Sequence, residues 1–189
     1  MDADGLIYAC ATTAEERVAK RLGLPAVRVG VGVANGVPAG RVVSFGLAGS
    51  LNDDIAVGAV LDATRVVDEH GATLWEGEGL GVGRKATILG GARLVHDAAD
   101  RRRLHASSGA DAVDMESGVL ARSGRLAGVL RAVSDGAESA IEGVDTTVHA
   151  NGKTDVVGLL RWVATRRGAA VRSMRDALTA LKALEKAAA

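Results

Sequence analysis

A chain of 189 residues, 48% hydrophobic and 24% charged, has the balance of one globular domain with a real core. A formal net charge of zero excludes a long-range field drawing it to nucleic acid or an anionic membrane. An aromatic content of 2% argues against recognition by base stacking, and 25 glycines imply a Val, Leu, Ile and Ala core in which backbones approach closely.

In chain order, the acidic start Met1-Asp2-Ala3-Asp4 is unlike a signal peptide. Residues 6–11 predict a buried strand holding Cys10, a lone cysteine that suggests a reducing, cytoplasmic compartment. Thr12 or Thr13 caps a predicted helix over 14–22, with Glu15 and Glu16 in its first turn. Valine-rich residues 26–33 and residues 41–47 predict two further strands, the second ending in the small-residue turn Gly46-Leu47-Ala48-Gly49-Ser50. Strands are also predicted over 59–67, 72–75, 85–89 and 112–114, then a helix over 115–122 and a strand over 126–134. Residues 154–186 are helical by period, with a break near Gly168. No apolar run reaches the roughly 18 residues of a membrane span. The alternation predicts an α/β fold, one domain over 1–189 with a central, mostly parallel twisted sheet flanked by helices. A C-terminal helical extension occupies about 153–189.

Chemistry in such folds gathers at the carboxyl ends of the strands. Asp135 follows the apolar strand through Ser134, where burial would raise its pKa and let it hold a proton near neutrality. The same Ser-Asp-Gly sequence also suits an ordinary turn. Glu116, after Met115, stands at a helix start. It can accept from two sugar hydroxyls or simply complement the helix dipole. Glu15 or Glu16 can orient a water or merely open a helix, and the backbone around Ala48 and Gly49 can approach a ligand. Gly79-Leu80-Gly81-Val82-Gly83-Arg84-Lys85 fails phosphate-loop spacing and reads as a flexible loop. The histidines lack metal-ligand spacing, so no metal is expected. Arg101-Arg102-Arg103 reads as a solvated helix face.

In order along the chain, several segments resemble methylthioadenosine/S-adenosylhomocysteine nucleosidases of the nucleoside phosphorylase and nucleosidase superfamily. Gly46-Leu47-Ala48-Gly49-Ser50-Leu51 with Ile55-Ala56-Val57-Gly58-Ala59-Val60 is similar to that family's Gly-x-Ala-Gly-Gly-Leu and Ile-x-Val-Gly-Asp-Val. Residues 111–121 resemble its Val-Glu-Met-Glu-x-x-x-x-Ala, and Arg131-Ala132-Val133-Ser134-Asp135 its Arg-x-Ile-Ser-Asp. Leu94-Val95-His96-Asp97 stands where the family has Phe-Ile-Asn-Asp. Ser44-Phe45-Gly46-Leu47-Ala48-Gly49, Asn151-Gly152-Lys153-Thr154-Asp155 and the following apolar and basic helices resemble the hopanoid-associated phosphorylase branch.

The resemblance implies cleavage of the N-glycosidic bond of a purine nucleoside, adenine being the base, with adenosylhopane as the substrate suggested by the narrower match. Asp135 would protonate N7 and Glu116 would grip the ribose hydroxyls over Met115. Glu15, or Glu16 one residue on, would orient the attacking water. Ala48, Gly49, Val95 and Ser134 would complete the binding set. No cofactor is implied, with phosphate as the alternative nucleophile. The expected partner is a small nucleoside, with an apolar 5′ group in the narrower reading, and the expected assembly a homo-oligomer. A membrane-peripheral location would follow if residues 156–163 and 178–184 face a lipid, and a sheet-covering role for them is the simpler expectation. Two departures stand out. Leu94 replaces a stacking aromatic, and only residues 34–40 separate two predicted strands. A parallel crossover usually needs about a dozen residues, so either a helix is lost or the strand order changes. A nucleoside-binding module without catalysis is the alternative function.

Overall fold

The computed structural model describes residues 5–91, 95, 97–136 and 167–189. Its strands are β1 (Leu6–Cys10), β2 (Ala26–Arg28), β3 (Arg41–Ser50), β4 (Val60–Val67), β5 (Thr73–Glu76), β6 (Arg84–Gly90), β7 (Ala112–Asp114) and β8 (Leu126–Asp135). The helices are α1 (Thr13–Arg21), α2 (Ala98–Ser108), α3 (Ser117–Arg122) and α4 (Arg167–Ala187), with a short 3-10 turn at Val31–Val33.

All eight strands join one sheet in the order β2-β1-β3-β7-β6-β4-β5, and β8 pairs with both β3 and β4. Those pairings close β3, β7, β6, β4 and β8 into a ring, from which β1 and β2 extend on one side and β5 on the other. Five pairings are parallel and three antiparallel, so the sheet is mixed. The antiparallel pairs are β3 with β7, β4 with β8, and the edge pair β4 with β5. The flanking helices and the α/β class agree with the sequence reading.

β3 is the axis of the ring. Its outer neighbour is β1, and its ten residues pair with β8 from Val42 to Gly49 and with β7 at Gly49 and Ser50. Val42, Val43 and Phe45 are completely buried, as are Val129, Ala132 and Val133 of β8. The core is therefore made of β-branched and small side chains, as the composition requires. On the outer face, Ala180 and Leu184 of α4 pack with Phe45, Leu130 and Ala132. That contact gives α4 the sheet-covering role. The calls on residues 137–166, including the apolar helix over 156–163, lie outside the described residues, as do Leu94 and His96.

The short link after β2 keeps the strand order and dispenses with a helix. β2 ends at Arg28, well before the expected boundary at Val33, and the chain crosses β1 through the 3-10 turn and an irregular segment. Gly30, Gly32 and Gly36 take positive φ there, which lets so short a segment double back.

The glycine-rich loop 79–83 is an internal clasp. Backbone N–H groups of Leu80 and Gly81, both at 2.8 Å, and of Val82, at 3.1 Å, donate to the buried Asp62 carboxylate. These amides cradle an anion, as such loops do, and the anion is the protein's own side chain.

Candidate active site

α1 starts with a reciprocal cap. Thr12 Oγ1 accepts from Glu15 N at 3.3 Å, and Thr12 N donates to Glu15 Oε2 at 2.7 Å. The capping contact turns Glu15 inward, and its other oxygen, Oε1, accepts from Leu47 N of β3 at 2.8 Å. Glu16, one residue on, faces the other way. It pairs with Lys20 at 2.6 Å and Arg28 at 3.6 Å and does not line the cavity. Of the two glutamates that the sequence left open, Glu15 is the one on the cavity.

Glu15 lies on a cavity of about 240 Å³ shared with Leu47, Ala48 and Gly49 of β3, Val95, Met115, Glu116, Ser134 and Asp135. The structure brings together every residue singled out in the sequence except Glu16. Asp114, Arg101, Thr12, Ala11 and Val113 complete the wall.

Two buried arginines organise the carboxylates, one at each end. Arg131 of β8 is completely buried beneath β3. Its Nη2 donates to Ser44 Oγ at 2.5 Å and to Glu116 Oε2 at 3.3 Å, and its Nη1 donates to Leu47 O at 3.2 Å. Its Nε lies 2.8 Å from Asp114 Oδ2, a charge contact rather than an aligned hydrogen bond. Burial alone would lower the pKa of this guanidinium, but Asp114, Glu116 and Glu15 more than offset it and raise its pKa. Glu116 Oε1 accepts from Gly32 N at 2.9 Å, so the short link after β2 reaches into the site. Burial pushes the Glu116 carboxyl up to about 7, with Arg131 opposing and Asp114 and Glu15 reinforcing the shift.

At the other end, Arg101 of α2 pairs with Asp135 Oδ2, and Ser134 Oγ donates to Asp135 Oδ1 at 2.7 Å. Burial raises the Asp135 pKa above the usual aspartate value, and Asp176 of α4 adds to the shift. Arg101 and the Ser134 hydroxyl oppose it. The solvated reading of the 101–103 run is overturned at its first member: Arg101 is 1% exposed, whereas Arg102 and Arg103 face solvent. The signal was present in the spacing. Arg101, Leu104 and Ser108 fall on one face of a helix that starts at the Asp97 cap and stops at Gly109 in the left-handed conformation.

Two glycines of β3 make room for these groups. A Cβ on Gly46 would lie 2.6 Å from Glu15 Cδ and 2.8 Å from Arg131 Nη1. A Cβ on Gly49 would lie 2.8 Å from Asp135 Oδ2 and 2.9 Å from Arg101 Nη1. The small-residue stretch expected as a turn is instead the end of β3, and it seats both arginine–carboxylate clusters against bare backbone.

No family model and no curated protein matches the sequence. Solved structures do match in fold. The chain has the fold of the nucleosidases. Futalosine hydrolase of Helicobacter pylori is 17% identical, with 94% of this chain and 97% of that chain covered and a TM-score of 0.54. The 5′-methylthioadenosine/S-adenosylhomocysteine nucleosidase of Campylobacter jejuni is 16% identical, with coverage of 96% and 99% and a TM-score of 0.55. The S. pneumoniae nucleosidase of the same name, bound to a transition-state inhibitor, is 15% identical, with coverage of 95% and 99% and a TM-score of 0.55. At identities this low the likeness shows a shared fold. No described helix is long and apolar enough to cross a membrane.

Proposed function

We propose that this chain hydrolyses the N-glycosidic bond of a purine nucleoside. The convergence of Glu15, Glu116 and Asp135 on one cavity, in a nucleosidase fold, carries the reading. Asp135 gives a proton to N7 of the base as the bond between C1′ and N9 breaks, and the bonding pair leaves with the base. Glu116 accepts from the ribose hydroxyls, with Met115 against the sugar. A water held by Glu15 attacks C1′ and passes its proton to that carboxylate. The products are the free base and ribose still carrying its 5′ substituent.

Water is favoured over phosphate because the arginines at the site are already paired with carboxylates, Arg101 with Asp135 and Arg131 with Asp114 and Glu116. The cavity wall also carries Glu15 and Asp114, which add negative charge that disfavours a phosphate dianion. The test is release of base from adenosine and 5′-methylthioadenosine with and without inorganic phosphate, with the sugar product identified. Unphosphorylated sugar, ribose from adenosine and 5-methylthioribose from 5′-methylthioadenosine, is expected at a phosphate-independent rate. Ribose 1-phosphate, or binding without release, would defeat hydrolysis.

Adenine is the base that the resemblance implies. A short apolar 5′ group finds support in the apolar side chains of Ala11, Leu47, Ala48, Val95, Val113 and Met115 on the cavity wall, whereas a large one, as in adenosylhopane, requires a further apolar path out of the cavity.

A further inference from the structure

We propose that Arg101 is a positioning residue for the base-side half of this site. It fixes the Asp135 carboxylate and the backbone at Val95 in one arrangement before substrate enters. The proposal rests on the nucleosidase reading above and adds a residue to it.

The geometry is a four-way clamp. Arg101 Nη1 donates to Ser50 O at 2.9 Å and Gly136 O at 3.3 Å, and Nη2 donates to Val95 O at 2.9 Å and to Asp135 Oδ2. One side chain thereby ties the end of β3, the end of β8 and the segment before α2, three chain segments that border the cavity. The four N–H groups of the guanidinium terminus are spent on protein acceptors, so Arg101 acts through its neighbours. With its carbonyl turned to Arg101, Val95 is held by its backbone against the cavity. Gly49 permits the arrangement, since a Cβ there would strike both Asp135 and Arg101. A planar fork can hold this set, whereas a lysine ammonium is a single point that cannot span it.

The clamp has an electrostatic consequence. Among the described residues, the charged groups acting on Asp135 are Arg101 from α2 and Asp176 from α4, with the Ser134 hydroxyl of β8 alongside. Burial and Asp176 favour the protonated acid, while Arg101 and Ser134 favour the carboxylate. Removing Arg101 therefore moves the Asp135 pKa upward. A general acid must be protonated to act, so the alkaline limb of kcat/KM moves to higher pH as kcat falls through lost positioning. General loss of structure lowers the active fraction and leaves that limb in place.

The experiment uses the full chain with Arg101→Lys and Arg101→Met. Asp135 is titrated by carboxyl 13C NMR, assigned with Asp135→Asn, and pH profiles of base release are recorded. In Arg101→Met, the Asp135 titration is expected to rise by at least one pH unit, with the alkaline limb following and kcat reduced at least tenfold. Arg101→Lys is expected to restore the titration toward wild type but not kcat, because charge returns without the fork. If Arg101→Met does not fold, the Lys variant alone decides: wild-type kcat in that variant overturns the proposal. An unmoved Asp135 titration in folded Arg101→Met also overturns it. The NMR arm does not depend on turnover. A wild-type chain that releases no base defeats the hydrolase reading, while the titration still judges the clamp.

Discussion

Glu15 occupies the space that a side chain on Gly46 would need, since a Cβ there would come within 2.6 Å of its Cδ. The carboxylate is not free to swing aside, because Thr12 N and Leu47 N hold its two oxygens at 2.7 and 2.8 Å. Gly46→Ala therefore displaces Glu15, Arg131 or both. Overpacking a core of this kind costs roughly 1–3 kcal/mol, and a shift of about 1 Å at a reacting group can cost ~100-fold in rate. The expected outcome is a folded variant with turnover lowered about 100-fold, read by thermal unfolding and base release together. Wild-type turnover would remove Glu15 from the nucleophile site.

Asp135→Asn preserves shape and removes the proton. General acid catalysis typically contributes about 10²–10⁴-fold, so kcat is expected to fall within that range while KM changes only a few-fold. An amide still donates a hydrogen bond to the base, and only the transition state loses the transferred proton. Near-normal turnover in steady-state kinetics would refute the role of Asp135.

Glu116 links the site to stability. Its carboxyl is raised from 4.5 to about 7 in the folded chain, chiefly by burial. The folded state thus holds this proton more tightly than the unfolded state. The stability it contributes is fully present below pH 4.5 and is lost as pH rises through about 7. Glu116→Gln has no such proton to lose. Relative to wild type, the Gln variant is expected to gain stability steadily between pH 4.5 and 7, measured by urea unfolding across that window. A constant difference across the window would show that Glu116 titrates normally.

Much of this site was legible because its residues sit beside strong punctuation. Asp135 ends a long apolar strand, Glu116 opens a helix, and Glu15 answers Thr12 across one turn. The choice of Glu15 over Glu16 was not legible, since Thr12 and Thr13 both suit a cap and both glutamates suit a first turn; the Thr12 cap and the Leu47 amide single out Glu15. Arg101 was hidden for a different reason. α2 has little apolar periodicity, with Leu104 the large apolar residue on its buried face, so three successive arginines look like a surface. Arg101 is buried because Asp135 and three carbonyls, distant in sequence, receive it. The end of β2 at Arg28 was hidden too. Valine at 29, 31 and 33 has strand propensity, but crossing β1 within so few residues requires turns at the intervening glycines.

The 5′ substituent is where the wall of the site changes character. Met115 lies on the active-site cavity and also on a neighbouring cavity of about 470 Å³ bordered by Asp68, Glu69, His70 and Arg122. An alkyl group that reaches Met115 gains apolar contact, worth about 0.8 kcal/mol per buried methylene. Beyond Met115 an extending chain meets charged side chains, and desolvating them offsets the gain. In a series of 5′-alkylthio adenosines, kcat/KM is therefore expected to rise over the first few carbons, by up to about fourfold per methylene, and then to level. The series is read by adenine release at subsaturating substrate. A plateau identifies a nucleosidase for short 5′ groups. A rise that continues to long chains would show that the substituent leaves along another wall, and would favour a lipid nucleoside such as adenosylhopane.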